Sequence, residues 1–541
     1  MKKLLLPVML IVILLIVGCR NNAYTDVEEY ETLETNDEYN TDEPEPTLPP
    51  YEKQPEPYYP DEADEHENEA ESLPERFGDA SVKPQNAVAI SAASTHALAI
   101  MEDGSLWAWG AGAPDWWTVG WFSLIGDGTP ETRTLPVKIM EDVAFAVAGH
   151  SHSFAITTDG VLWAWGGNYF GQLGDGTTET RLSPVRIMED VVYVTMPSHV
   201  PCSHVGVGGW RSYAIRGDRS LWAWGHNYMG AGAWHIALGD GTVENRHLPV
   251  QILENVAHVV PTRNGGLALT YDNVLWRWHG QGFRNIGGGE SIEIPAQLYP
   301  APLMENIASI SPCAAFAITT GGELWRIGHE PDEPTWVMDD VRYAAGPFII
   351  TTDDTLWAHG RNRLPDHWRP GPLLGDGTTI DRDIPVKIME DIAVVHTMGN
   401  VAYAITNSGT LWAWGTNDRT GIIGDGSILS WDDVEEHMWE FAWEYHGEHG
   451  FECGRRWLLD NNGGTGIRLS PVKILENVVS VAATYYLFDH GWIRGFRTFA
   501  LTECGAVWAW GENDVFSQGW SLLGDGTSEI RLSTVRIIEG R

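Results

Sequence analysis

Hydrophobic and polar residues alternate in short runs along most of this chain, and the runs recur. One of them, Ser153-Phe-Ala-Ile-Thr-Thr-Asp-Gly160, ends in a turn signal and leads straight into Leu162-Trp-Ala-Trp-Gly166. The period is the two-residue period of strands, not the 3.6-residue period of a helix. The string Leu-Trp-Ala-Trp-Gly stands at 106–110, 162–166, 221–225 and 411–415, with weaker copies at 275–278, 324–328, 356–360 and 507–511. Self-similarity of this kind is the mark of a repeat architecture.

Most copies precede a Gly-Asp-Gly-Thr loop, at 126–129, 174–177, 239–242, 375–378 and 524–527, with Ser427 in place of threonine at 424–427. A short strand such as Pro184-Val-Arg-Ile187 follows, then a link such as Met188-Glu-Asp-Val191. Each unit therefore reads as four strands: A like 143–148, B like 154–158, C like 162–165 and D like 184–187. Between B and C stand pairs such as Asp103-Gly104, Asp159-Gly160, Gly321-Gly322, Ser408-Gly409 and Cys504-Gly505, which supply the positive φ of tight hairpins. Sheets this small are not stable alone. Stacked around an axis they bury both faces, so the expected fold is all-β, a β-propeller of seven to eight four-stranded blades, with eight units countable.

The unit resembles the repeat of the regulator of chromosome condensation family, over residues 86–541, with a poor fit between 275 and 355 where the Gly-Asp-Gly loop is lost. The resemblance implies a propeller, typically of seven blades; the count of units favours eight. Members of that family include a nuclear exchange factor for a small GTPase and a secreted β-lactamase inhibitor, and only the second mode suits the N-terminal signals below.

Composition changes the picture at the N-terminus. Lys2 and Lys3 precede an apolar stretch, Leu4 to Val17, too short to span a bilayer as a helix and suited to a signal peptide over 1–18. It ends in Leu15-Ile16-Val17-Gly18-Cys19, which resembles the lipobox of bacterial lipoproteins. That resemblance implies that Cys19 becomes the acylated N-terminus and anchors the chain in the cell membrane, facing the extracytoplasmic side. Residues 19–80 form an acidic, proline-rich tether: 20–75 alone hold 20 Asp+Glu and eight prolines, a composition that stays disordered. The whole chain of 541 residues carries a net charge of −40, with 34 Lys+Arg against 74 Asp+Glu. That balance excludes a nucleic-acid partner, which requires a basic footprint.

Of 27 tryptophans, 14 lie in the signature strands and read as structural. The two of one strand share a side, where large rings can pack against small residues of the next blade. An arginine follows each loop aspartate: Arg133 after Asp127, Arg181 after Asp175, Arg246 after Asp240, Arg382 after Asp376 and Arg531 after Asp525. These read as structural pairs holding loop to blade, since one carboxylate per loop is too few for calcium. No catalytic signature is present, and neither a metal nor a cofactor is expected; His446-Gly-Glu-His449 with Cys453 sits in an irregular insertion, 428–466. Cys202, Cys313, Cys453 and Cys504 leave disulfide pairing open.

In an up-and-down meander the A–B and C–D loops share one face, and every sizeable insertion falls there. Those insertions hold Trp117, Trp121, Trp210, Trp234, Trp368, Trp439, Trp443 and Trp520, the candidate partner-binding residues. Residues 430–445 read as an amphipathic helix carrying Trp439 and Trp443. The expectation is a monomeric, non-enzymatic scaffold that binds an extracytoplasmic protein, with a cell-wall glycan binder or glycan-active enzyme as the alternative.

Overall fold

Alternating strands joined by four-residue turns leave the chain one way to bury its faces, and the computed structural model shows it: eight four-stranded antiparallel sheets arranged in a ring. It describes residues 84–541 except 111–112, 116–119, 123, 198–209, 228–235, 263, 281, 288–289, 312–315, 328–333, 363–372, 399–400, 418–420, 428–466, 488–492 and 514–521. The signal segment, Cys19 and the tether lie outside the described residues. Blade 1 is Ala87–Ala92, His96–Met101, Leu106–Gly110 and Arg133–Met140; blade 2 is Val143–Ala148, His152–Thr157, Leu162–Gly166 and Arg181–Met188. Blades 3, 4, 6 and 7 occupy 191–253, 256–304, 341–389 and 392–475. The shortest, blade 5, is Ile307–Ile310, Phe316–Thr319, Leu324–Arg326 and Thr335–Met338; blade 8 is Val478–Leu487, Ile493–Thr502, Val507–Gly511 and Arg531–Ile538. Strand A of each blade is mostly buried and strand D is the exposed edge, so A lies inside and D outside.

Each B–C turn has four residues and each D–A link two. This face of the disc is uniformly terse. The second link residue always has positive φ: Asp142, Asp190, Asn255, Asn306, Asp340, Asp391 and Asn477. Aspartate and asparagine tolerate that conformation better than other residues with a Cβ. The ring closes by copying this link without a covalent bond. Asn86 has φ 57° and its N–H donates to Glu539 O at 3.0 Å. Ala87 N–H then reaches Gly505 O at 2.9 Å, as Val143 N–H reaches Gly104 O at 2.9 Å inside the chain. Each of the eight sheets draws its four strands from a single unit, with a hairpin inserted between strands C and D in blade 1 (Ala113–Asp115 with Gly120–Phe122) and in blade 4 (Gly282–Gly287 with Glu290–Ile294), so first and last blades meet intact.

Neighbouring blades are joined by a clamp made from the Gly-Asp-Gly-Thr loop. The first glycine lies on the second signature tryptophan of the next blade: a Cβ on Gly174 would stand 2.8 Å from Trp224 Nε1, and one on Gly375 2.7 Å from Trp414 Nε1. In four of the six clamps that indole donates to a backbone carbonyl of the same preceding loop, as Trp165 to Leu124 O and Trp224 to Gln172 O, both at 2.9 Å, whereas Trp278 reaches Tyr213 Oη at 3.4 Å. The second glycine donates its N–H to the next outer strand: Gly128 to Leu182 O, Gly176 to His247 O and, across the closure, Gly526 to Thr134 O. Thus the second tryptophan is fully buried beneath glycine, and in five of the six clamps it meets an aromatic ring of the preceding blade rather than a small residue, Trp165 lying instead among aliphatic side chains. Phe154 with Trp224 and Tyr403 with Trp510 are T-shaped pairs at 5.9 and 6.2 Å. The first tryptophan is a different residue physically, half-buried in most blades, with Arg216 over Trp222 and Arg536 over Trp508.

Inside each loop the aspartate is the hub. Arg133 Nε donates to Asp127 Oδ2 at 2.5 Å, Arg181 to Asp175 at 2.7 Å, Arg246 to Asp240 at 2.5 Å, Arg382 to Asp376 at 2.7 Å and Arg531 to Asp525 at 2.6 Å. A sixth pair, Arg468 with Asp425 at 2.6 Å, is separated by the long insertion and escapes a search by spacing. The other aspartate oxygen accepts from the loop threonine and from an asparagine two residues past the signature glycine, as Asn168 to Asp175 and Asn513 to Asp525.

Blades 4 and 5 lack the loop, and the blades that follow them lack the tryptophan: Ile327 and His359 occupy its place. Loop and tryptophan are lost together because neither can be buried without the other. Two outcomes follow. Gly174→Ala pays both positive-φ strain, about 1–3 kcal/mol, and the indole clash, whereas Gly360→Ala pays the strain only, having nothing within 4 Å of its Cβ position; thermal unfolding should show the larger loss for Gly174→Ala. Amide exchange should be fastest in blade 5, whose two interfaces carry no clamp, and uniform exchange around the ring would contradict this.

Candidate functional site

Long connections leave the ring on one side only. The A–B and C–D connections contain all of the insertions, among them 196–210, 361–381, 417–466 and 512–530. Of the candidate tryptophans, Trp117, Trp234, Trp368, Trp439, Trp443 and Trp520 lie outside the described residues, as do the 430–445 segment and the His446–Cys453 cluster. Trp121 stands on a short strand, Gly120–Phe122, paired with Ala113–Asp115. Cys202, Cys313 and Cys453 are likewise outside; Cys504 is an exposed free thiol.

Trp210 can be placed in full. It forms an aromatic shelf where blades 2 and 3 meet: its ring centroid is 4.8 Å from Phe170 and 5.8 Å from His226, and Phe170 is 4.3 Å from His226. Tyr169 extends the shelf, 4.9 Å from Phe170 and 61% exposed. Three connections supply these rings. The C–D loop of blade 2 brings Tyr169 and Phe170 and is pinned by Asn168, whose Oδ1 accepts from Leu173 N–H at 2.9 Å. The A–B and C–D loops of blade 3 bring Trp210 and His226, tied by His226 N–H to Trp210 O at 2.7 Å. Tyr169 and Phe170 are missed by a search for tryptophan alone. Burial, with Arg211 nearby, pushes His226 down to about 4, so the shelf is neutral and apolar at pH 7.

Beneath it runs a buried polar belt at the first residue of strand B. His96 Nε2 bonds Ser153 Oγ at 2.7 Å, His152 Nε2 bonds Ser212 Oγ at 3.1 Å, and Arg211 donates to Thr262 O. The belt links blade 1 to 2, 2 to 3 and 3 to 4. Burial drives His96 and His152 down to about 3, Arg497 adding to the effect at His96. Imidazoles held neutral this firmly are poor proton acceptors at pH 7. Among the described residues no group of three His, Cys, Asp or Glu side chains could hold a metal ion.

Two family models, both described as regulator of chromosome condensation (RCC1) repeat, match residues 159–215 and 143–172, the second and third of the eight units. The chain thus carries RCC1-type repeats on a propeller fold. It is 27% identical over 260 residues to the RCC1 domain-containing protein RUG3, mitochondrial, of Arabidopsis thaliana, covering 45% of this chain and 54% of the relative. It is 26% identical over 388 residues to the ultraviolet-B receptor UVR8 of the same plant, covering 63% and 79%. The chain thus spans about half the length of the first of these relatives. Among solved structures it is similar to yeast RCC1 (Prp20) bound to Kap60, at 15% identity and a TM-score of 0.43, over 75% of this chain and 78% of that one.

The RCC1-repeat belt and clamps predict an acid response in two stages. His96 and His152 titrate near 6.5 when unfolded and about 3 when folded, so the stability of their neutral forms is complete above pH 6.5 and lost as pH falls. In Asp175, Asp376 and Asp525, burial opposes ionisation, but the arginine, threonine and asparagine hydrogen bonds win and hold the carboxyls below their ordinary value. Their contribution is present above about pH 4 and lost below it. Urea midpoints should therefore decline already between pH 7 and pH 4.5, less steeply in His96→Gln, and steeply again below pH 4. A flat profile down to pH 4.5 would show that the belt histidines are not buried neutral.

Proposed function

We propose that this RCC1-repeat propeller is a membrane-tethered, extracytoplasmic scaffold that binds a protein partner through its loop-bearing face, and that it acts by binding rather than catalysis. The observation that carries the reading is the asymmetry of the disc. Two-residue links and four-residue turns hold one face to a minimum, while all spare chain length and the aromatic shelf gather on the other. Loops vary where they do not disturb the scaffold, and sites are built there. A rigid ring presents such loops at little ordering cost, and half-buried aromatics are favoured as contact anchors.

The lipobox-like Leu15-Ile16-Val17-Gly18-Cys19 supports the tether. Residues 84–87 join the ring at the terse face. Two acyl chains on Cys19 would hold stably where one binds only marginally.

Expressed with its signal, the full chain should fractionate with membranes, and Cys19→Ala should release it. Capture from envelope extracts should recover one discrete protein, with recovery reduced about tenfold by a Phe170→Ala/Trp210→Ala double change. Binding to purified peptidoglycan with that same sensitivity, and no protein captured, would replace the protein partner by a glycan.

A further inference from the structure

The terse face has a feature that its scaffold role does not require. In every blade strand A carries a bulge at its second residue, which has no partner on strand B. The skipped residues are read from the register shifts Ala87/Ala89, Val143/Phe145, Val191/Tyr193, Val256/His258, Ile307/Ser309, Val341/Tyr343, Ile392/Val394 and Val478/Ser480. A bulge re-aims its side chain out of the sheet. Because strand A is innermost and starts at the terse face, the eight bulged side chains form a collar at that end of the axis. Seven of the eight are alanine or valine. Val88 and Val192 are 52% and 60% exposed, so core packing does not account for them. The eighth, Arg342, spends its charge within the ring: it donates to Ile392 O at 2.5 Å and Ala393 O at 3.2 Å in the next blade and pairs with Asp354 at 2.7 Å.

Around this apolar collar every D–A link opens on an acid. In five of the eight a cation three residues earlier pairs with it, as Lys138 with Glu141 at 2.6 Å and Arg536 with Glu539 at 3.1 Å. The other three are consecutive. Glu254 has Gln251 in that place, Glu305 has Pro302, and Asp339 has Trp336, so among the described residues these three acids form no ion pair. The adjoining B–C turns of blades 3 to 5 add one cation, Arg219, whose carbonyl accepts from Val256 N–H beside Glu254, against Asp218, Asp272 and Glu323. The same sector carries three successive exposed collar residues, Val192, Ala257 and Ala308. Apolar contact area and an excess of negative charge therefore coincide between blades 3 and 5.

We propose that this sector docks a lysine- or arginine-rich segment of a partner protein, with an aliphatic side chain of that segment seated in the collar and its cations on Glu254, Glu305 and Asp339. Charge complementarity selects this occupant. The chain's own segment 20–75, with 20 Asp+Glu, has the wrong sign, and a second copy would oppose like charge to like charge. The site is separate from the loop-bearing face and does not depend on the function proposed for it.

The test uses the purified full chain in detergent and a fluorescent peptide of alternating lysine and leucine, read by anisotropy and by amide exchange. Binding should protect the amides at the starts of strand A in blades 3, 4 and 5. The triple change Glu254→Gln/Glu305→Gln/Asp339→Asn should weaken affinity about tenfold, Val192→Asn should weaken it independently, and Phe170→Ala/Trp210→Ala should leave it unchanged. Equal affinity in the triple variant would overturn the proposal. So would equal binding of a lysine–glycine peptide, protection confined to the loop-bearing face, or concentration-dependent dimerisation in place of peptide binding.

Discussion

A glycine laid on the indole of the next blade is the contact on which this ring depends. A single blade buries strands B and C but leaves the ring of its second tryptophan facing outward along the circumference. Only a residue without a Cβ lets backbone approach that ring closely enough to cover it, and the positive φ needed there suits glycine as well. The aspartate between the two glycines fixes the loop in its covering position by taking an arginine on one oxygen and a threonine and an asparagine on the other. The loop is thus stabilised within its own blade while its contacts fall on the neighbour. Repeated around the circle, this makes each blade's burial conditional on the next.

The paired loss of loop and tryptophan shows the same constraint from the other side. Where the loop is absent after blades 4 and 5, an exposed tryptophan edge would be left uncovered, and isoleucine and histidine stand there instead. His359 is buried, and burial lowers it to about 4. The two clamp-free interfaces rest on small hydrophobic clusters, Val260, Leu267 and Ile307 on one side of blade 5 and Phe316, Val341 and Ile349 on the other. Both inferences about binding faces build on the rigid frame between these points: the loop-bearing face by its freedom to vary, the terse face by its uniformity.

The repeat count and four-strand unit were legible because each unit repeats turn chemistry and the Leu-Trp-Ala-Trp string at readable spacing. The five Asp–Arg couples could be picked out because six residues separate their members. Asp425 and Arg468 could not, with an insertion between them, and Asn168 and its equivalents carried no charge to draw attention. The opposed fates of the two tryptophans, such as Trp222 and Trp224, were hidden because a period of two places them on one side of the strand alike; only the neighbouring blade's loop distinguishes them. Arg219, Asn273 and Asp354 take the positive-φ turn position that glycine holds in other blades, a place where the sequence signal varies and the geometry does not. The shelf of Phe170, Trp210 and His226 joins three separate connections, which no local pattern brings together.

A double-mutant cycle between Gly375 and Trp414 tests the clamp most directly. With tryptophan present, Gly375→Ala pays both strain and clash; with Trp414→Leu the clash is relieved and only strain remains. The account predicts non-additivity of at least about 1 kcal/mol by urea unfolding, with the double variant more stable than the sum of the single changes implies. Additive losses would show that loop and indole contribute separately, and that the ring is held by something other than this contact.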